Sequence, residues 1–225
     1  MDIIGLLETA MKGVVNAFKA FRGFRLVIFG TTRVGKSTLW QYLQTEKMVD
    51  PTAIEKTFEI TEIDKFRLRT ITLSWIKVGI LATDLPGDKQ FRSTWEKVLK
   101  EVKPHGIVFL LDNVEDTSNI PEVGYDEKRL AEHQEAFKYL TDLIMSEPEV
   151  YKNLQAMAIV VNKSDTFPKN LGYGKIIEKA GISQAFRQYN ELEKCRSTAF
   201  SCSALYGTNV RSMIKWMVQS MAGDN

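Results

Sequence analysis

Gly30, Gly35, Lys36 and Ser37 fall in the order glycine, four residues, glycine, lysine, serine, between an apolar run, FRLVIF, and an amphipathic one, TLWQYLQ. Glycines at that spacing let the backbone curl until successive N–H groups converge on one phosphate, and a helix starting near Lys36 turns its positive end toward the same anion. The loop Gly30, Thr31, Thr32, Arg33, Val34, Gly35, Lys36, Ser37 and Thr38 therefore reads as a phosphate-binding P-loop. In such a loop Lys36 reaches the β- and γ-phosphates, and the Ser37 hydroxyl binds Mg²⁺. Arg33 has two readings, one as a cation that neutralises transition-state charge in cis and one as an ordinary solvent-facing side chain. The loop specifies a nucleoside triphosphate without specifying its base.

Three later segments supply complementary chemistry, each at the end of an apolar run. In TDLPGDKQ, Asp84 can hold Mg²⁺ through water, and Gly87 can bring its own N–H to the γ-phosphate with no Cβ in the way. In VVNKSD, an ionised Asp165 can accept from both donors on the guanine edge, a pair adenine does not offer; the Lys163 stem can lie over the base, and Asn162 can tie this loop to the P-loop. In SCSAL, the Ala204 N–H can meet the guanine O6, Ser203 can buttress Asp165, and Leu205 completes the loop. Each segment alone is a common turn. Their joint order points to guanine.

Elements that would position these loops are legible as short β-like runs alternating with longer helical ones, the pattern of an α/β domain. KTFEITEI, WIKVGILATD, GIVFLLD, AMAIVVN and STAFSC read as strands; RSTWEKVLKEV, EKRLAEHQEAFKYLTDLIM, YGKIIEKAGISQAFRQY and TNVRSMIKWMVQSM read as helices, as does the segment after the P-loop. A mainly parallel sheet flanked by helices places ligand loops at the carboxyl ends of its strands. The chain has 225 residues with a net charge of +2, enough for one sizeable core and too little positive charge, without a basic aromatic run, for a nucleic-acid partner. Cys195 and Cys202 form no metal or disulfide framework, which predicts a cytoplasmic protein. His105 and His133 stand alone, with structural or surface roles expected for both.

With these motifs in order, the chain resembles a small GTPase of the Ras superfamily, from about Arg25 to Met221. DLPGDKQFRSTW is similar to the Arf and Sar branch, which carries an arginine and a tryptophan after Asp-x-x-Gly, here Arg92 and Trp95. Its Asp-Leu-Pro-Gly also resembles the signal-recognition-particle receptor β-subunit. The resemblance implies a P-loop GTPase fold: a mainly parallel six-stranded sheet, helices on both faces and an extended antiparallel interswitch hairpin between Thr52 and Asp84. It implies that Thr52, in Pro51-Thr52, coordinates Mg²⁺ with Ser37 and Asp84 and contacts the γ-phosphate, with Thr57 the weaker candidate for that role. It implies GTP and GDP as ligands, catalysis involving Lys36, Thr52, Gly87 and Asp88, and an effector, an exchange factor and an activating protein engaging the switch regions. Two departures stand out. Asp88 occupies the place of the water-orienting glutamine or histidine, and Thr83 replaces a tryptophan.

Two functions fit this pattern. One is a switch that hydrolyses GTP slowly with help from an activator; the other is a nucleotide-loaded binding or scaffold module with negligible hydrolysis, which Asp88 favours. The chain divides into residues 1–22 and a GTPase domain over 23–225. In the first segment Ile4, Leu7, Met11, Val14, Phe18 and Phe21 recur at steps of three and four, which predicts an amphipathic helix. Charged residues interrupt it too often for a membrane span, and Asp2 in place of glycine predicts no myristoyl anchor. Such a helix packs on the domain, pairs with another copy or, as in Arf-type proteins, attaches reversibly to an anionic membrane surface with help from Lys12, Lys19 and Arg22.

Overall fold

The computed structural model describes residues 23–50, 69–73, 76–84, 87–114, 124–167, 172–183 and 195–223. The helix expected over 1–22, the strand expected over 56–63 and Thr52 lie outside the described residues.

Among the described residues, six strands form one sheet: β1 (Phe24–Gly30), β2 (Arg69–Leu73), β3 (Ile76–Asp84), β4 (Gly106–Leu111), β5 (Ala156–Val161) and β6 (Arg196–Ser201). Their spatial order is β2-β3-β1-β4-β5-β6. The four pairings from β3 through β6 are parallel, and only β2 runs antiparallel, against β3. That antiparallel pair lies within the span between Thr52 and Asp84 where the interswitch hairpin is expected. The order reverses beside β1, since the chain leaves it toward β2 and β3 on one side and toward β4 on the other. In an open α/β sheet this is where the strand ends part and leave a crevice for a ligand.

Every residue of β4, GIVFLL, and of β5, AMAIVV, is buried. A parallel strand covered on both faces has no wet side, so its sequence is continuously apolar. The two-residue alternation of a strand divides these residues between two cores. Val27, Phe29, Ile107, Phe109, Met157 and Ile159 face one core. Leu26, Ile28, Val108, Leu110, Ala158 and Val160 face the other.

Helices α2 (Ser93–Val102), α3 (Glu127–Ser146), α4 (Pro148–Asn153) and α5 (Tyr173–Lys179) cover the first face, and α1 (Lys36–Thr45) and α6 (Val210–Ala222) cover the second. Trp95 of α2 is fully buried, with its ring edge-on to Phe29 at 5.0 Å. Arg92, just before α2, is also buried and donates to Glu135 of α3 at 3.0 Å. Both residues therefore fasten α2 to the body of the domain. The helix expected over 173–189 stops at Lys179, because Gly181 takes a left-handed φ of +64° and its N–H closes back on the Glu178 carbonyl. Residues 184–189 lie outside the described residues. Helix α4 was not foreseen; its Pro148 sits at the first turn, where a missing N–H costs no helical bond.

His105 precedes β4 and has the structural role expected of it: its Nδ1 accepts from the Arg25 backbone at 3.1 Å. Partial burial, and secondarily the charge of Arg25, lower its pKa to about 4. An unfolded chain binds a proton there near pH 6.5 that the folded chain refuses, so stability should decline as pH falls from about 6.5 toward 4. Urea unfolding across that range should show the decline, with a shallower slope in His105→Asn, and the His105 ring should titrate near pH 4 by NMR. A ring titrating at about 6.5 would contradict this.

Candidate nucleotide site

All the loops singled out in the sequence leave the same edge of the sheet. In register, Asp84 pairs with Ile28, Gly30 with Leu110, Leu111 with Val161, and Val161 with Ser201. The strand ends therefore deliver the P-loop, Asp84, Asp112, Asn162 and Cys202 side by side.

Gly30 ends β1 so close to β4 that a Cβ would lie 2.5 Å from the Leu110 carbonyl oxygen. Beyond it Arg33 and Gly35 adopt left-handed φ of +57° and +94°, which curls the loop; Val34 between them is fully buried and roots it in the core. Lys36 opens α1. It is buried, and its Nζ donates to the Gly30 and Thr31 carbonyls at 3.2 and 2.7 Å, on the inside of the turn. Ser37 and Thr38 follow in the first helical turn, partly buried, as is Thr32, whereas Arg33 is exposed.

Gly87 lies against this loop. A Cβ there would approach the Thr31 carbonyl carbon to 2.4 Å and the Gly30 oxygen to 2.5 Å, so no other residue fits without displacing backbone. The next residue, Asp88, caps a short 3-10 turn over Lys89–Phe91: Oδ1 accepts from the Gln90 N–H at 3.2 Å. Its carboxylate is turned to its own loop.

Asn162 joins the two halves of the site. Its Nδ2 donates to the Val34 carbonyl at 2.9 Å and its Oδ1 accepts from the Ala204 N–H at 2.9 Å, so one buried amide links the P-loop to the loop after β6. Gly35 makes room for it, since a Cβ there would fall 2.3 Å from Nδ2. Lys163, at φ +58°, extends inward to the Val114 carbonyl at 3.0 Å and to Asp112 at 2.7 Å. Asp165 is exposed in the turn Ser164–Thr166, which the Ser164 N–H fastens to the Cys202 carbonyl at 3.0 Å. Ser203 is buried; its hydroxyl accepts from the Tyr206 N–H at 3.4 Å and so closes its own loop. The Leu205 carbonyl accepts from Val49 at 2.9 Å.

Sequence reading passed over the group beneath these loops. Asp112, at the end of β4, is completely buried, with Arg129 and His133 of α3 against it. Arg129 Nε donates to Oδ1 at 2.7 Å and Nη2 to Oδ2 at 3.3 Å, while Nη2 also reaches the Thr32 carbonyl at 2.7 Å. His133 Nε2 lies 2.9 Å from Asp112 Oδ1, and Nδ1 lies 3.1 Å from the Thr31 hydroxyl. The Asp112 backbone nitrogen is also 3.1 Å from Nε2. That contact bonds only in the tautomer that would aim a ring lone pair at the carboxylate, so we assign the proton to Nε2, with Nδ1 accepting from Thr31.

Burial alone would raise the Asp112 pKa; the His133 hydrogen bond, followed by the charges of Arg129 and Lys163, overcomes it and holds the carboxyl well below the usual range. Burial lowers that of His133 despite Asp112, keeping the ring neutral. A signal for this group was present. Arg129 and His133 continue the buried stripe of Ala136, Leu140 and Ile144, where polar residues need partners.

Comparison with known proteins agrees with this architecture. The profile of the ADP-ribosylation factor family (Arf) matches residues 11–221. The chain is 24% identical to ADP-ribosylation factor-related protein 1 of Homo sapiens over 220 residues, 95% of this chain and 92% of that protein. It is 23% identical to ADP-ribosylation factor-like protein alp41 of Schizosaccharomyces pombe over 203 residues, 89% of this chain and 87% of the relative. Among solved structures, the Arl6 BBS3 small GTPase of Trypanosoma brucei with bound GppNp superposes with a TM-score of 0.60 at 14% identity, covering 90% of this chain and 99% of that one. The β-subunit complex of the signal recognition particle receptor, SRb-GTP/SRX from Chaetomium thermophilum, gives 0.55 at 16% identity, covering 88% and 99%. These two likenesses speak for the fold, and the family profile spans nearly the whole chain: this chain belongs to the ADP-ribosylation factor family of P-loop GTPases.

Proposed function

We propose that this chain is a GTP-loaded switch of slow intrinsic hydrolysis, held in its active form by Mg²⁺ and recruited reversibly to anionic membranes by residues 1–22. The observation that carries the nucleotide reading is Asn162, which bonds Val34 of the P-loop and Ala204 of the last loop with one side chain. A ligand with a phosphate at one end and a purine at the other needs those two loops at a fixed separation. The glycine contacts fit the same ligand, because Gly35 and Gly87 keep Cβ atoms out of a turn whose N–H groups would hold phosphate.

On this reading Lys36 exchanges its two loop carbonyls for β- and γ-phosphate oxygens, and Asp165 accepts from the guanine donors with Ala204 near its O6. Ser37, Thr52 and Asp84 are the hard oxygen donors that suit Mg²⁺, which supplies charge neutralisation between the phosphates. The switch regions around Thr52 and from Asp84 to Trp95 are the surfaces for effector, exchange factor and activating protein.

A second reading, a nucleotide-loaded module with negligible hydrolysis, draws on Asp88. Its carboxylate is engaged by Gln90 and offers no paired donor and acceptor for an attacking water. Single-turnover GTP hydrolysis with and without an activator source separates the two readings.

Asp165→Asn should weaken GDP binding by about 2 to 4 kcal/mol, the scale of breaking a charged buried pairing, and shift preference toward xanthine nucleotides in calorimetry. Comparable affinity of the native protein for ATP and GTP would remove the guanine assignment.

Replacing Asp88 with alanine should change the single-turnover rate less than about threefold, and Asp88→Gln should leave it equal or faster. A loss of about a hundredfold in Asp88→Ala would make Asp88 a working base instead.

For the N-terminal segment, GTP-loaded protein should float with anionic liposomes more than GDP-loaded protein, less so at high salt, and removal of residues 1–22 should abolish flotation while GDP affinity persists. Equal, negligible flotation in both nucleotide states would assign that segment to packing on the domain.

A further inference from the structure

Arg129 has more to do than neutralise Asp112. Its guanidinium is 2% exposed, yet one of its nitrogens serves the P-loop, donating from Nη2 to the Thr32 carbonyl at 2.7 Å. The rest of the fork is fixed from behind by Asp112 Oδ1 at 2.7 Å and by Glu132 at 3.2 Å. The helix that carries it is fixed too, since Asp126 caps α3 by accepting from the Arg129 N–H at 3.0 Å. Arg129 therefore has no freedom to follow the loop; the loop conforms to Arg129.

Because a peptide unit is planar and trans, its carbonyl and the following N–H point in opposite directions. Holding the Thr32 carbonyl toward α3 turns the Arg33 N–H away from α3. Asn162 does the same two peptides further along: with the Val34 carbonyl held at 2.9 Å, the Gly35 N–H turns away from Asn162. Both amides are thereby turned away from their anchors, in the stretch that left-handed Arg33 and Gly35 bend into a curl.

Building on the nucleotide reading above, we infer that Arg129 is a positioning residue of the phosphate site, the partner of Asn162 in setting the P-loop amides before any nucleotide arrives. Asp112 extends this action to the base side. Its Oδ2 also takes Lys163 at 2.7 Å, so the phosphate loop and the base-reading loop share one buried carboxylate. His133 completes the seat by accepting from the Thr31 hydroxyl at 3.1 Å.

The test is Arg129→Lys, which keeps a cation beside Asp112 but lacks the planar fork that reaches Asp112 and Thr32 together. The variant should unfold within a few degrees of the native protein, because the buried carboxylate keeps a partner. Its release of a fluorescent GDP should be faster by roughly 10- to 100-fold, the range for losing a charge-assisted hydrogen bond. Its affinity for GMP, measured by competition, should stay within about threefold, since the P-loop amides serve the β-phosphate that GMP lacks.

Native GDP release by Arg129→Lys overturns the positioning role, and so do equal losses for GDP and GMP, which signify general loosening. A native protein that binds no guanine nucleotide overturns the functional reading instead. Should Arg129→Lys not fold, hydrogen exchange of the native protein decides: GDP should slow exchange over residues 126–135 along with 30–37, and unchanged exchange over 126–135 overturns the inference.

Discussion

The carboxylate of Asp112 has no exposure to water, and the organisation of this site follows from how that charge is compensated. An unpaired carboxylate at such depth would cost several kcal/mol or be forced to take up a proton. Here it takes Arg129 at 2.7 Å, Lys163 at 2.7 Å and the ring of His133 at 2.9 Å, three donors drawn from two segments of the chain. Each donor arrives with a loop or helix attached. Arg129 and His133 bring the first turns of α3 against the P-loop, and Lys163 brings the turn that carries Asp165. A burial that would be costly in isolation thus fixes where the phosphate and base loops lie relative to each other.

A second constraint is the absence of side chains. Gly30, Gly35 and Gly87 each stand where a Cβ would come within about 2.5 Å of backbone or of Asn162. These contacts close the P-loop from three directions: β4, the loop after β5 and the start of the second switch. Because Gly87 lies directly on the Thr31 peptide, any movement of the segment from Gly87 to Arg92 is felt by the P-loop. At the far end of that segment, Arg92 is held by Glu135 and Trp95 is sunk in the core, and Lys89 of the turn that Asp88 caps also pairs with Glu135, at 2.7 Å.

Much of this was legible in the sequence because its physics is local. Short continuous apolar runs such as GIVFLL and AMAIVV, in alternation with helical segments, fit strands buried on both faces, and glycine spacing at residues 30 and 35 reports a backbone curl directly. What could not be read was which distant polar groups meet. Arg129 follows the P-loop by nearly a hundred positions, and only the packing of α3 beside β1 and β4 brings it to Thr32. Asp88 is a departure at a catalytic position, and what the sequence alone does not show is that its carboxylate caps a turn, a role that depends on Gln90 two residues later. KTFEITEI, expected as a strand, lies outside the described residues; among the described residues the strand antiparallel to β3 is Arg69–Leu73, with an irregularity between Ile71 and Leu73.

Membership of the ADP-ribosylation factor family gives this chain the general frame of a GTPase switch, and the buried junction gives it a particular way of holding that frame ready. If Asp112, Arg129 and Asn162 set the loops in advance, nucleotide binding requires one principal rearrangement, the release of Lys36 Nζ from the Gly30 and Thr31 carbonyls. A crystal structure of the GDP complex would measure this directly. The account predicts that Lys36 turns to a phosphate oxygen while Arg129 keeps the Thr32 carbonyl and Asn162 keeps Val34 and Ala204. A GDP complex in which Arg129 has left Thr32, or in which the phosphates lie away from the P-loop, would contradict it.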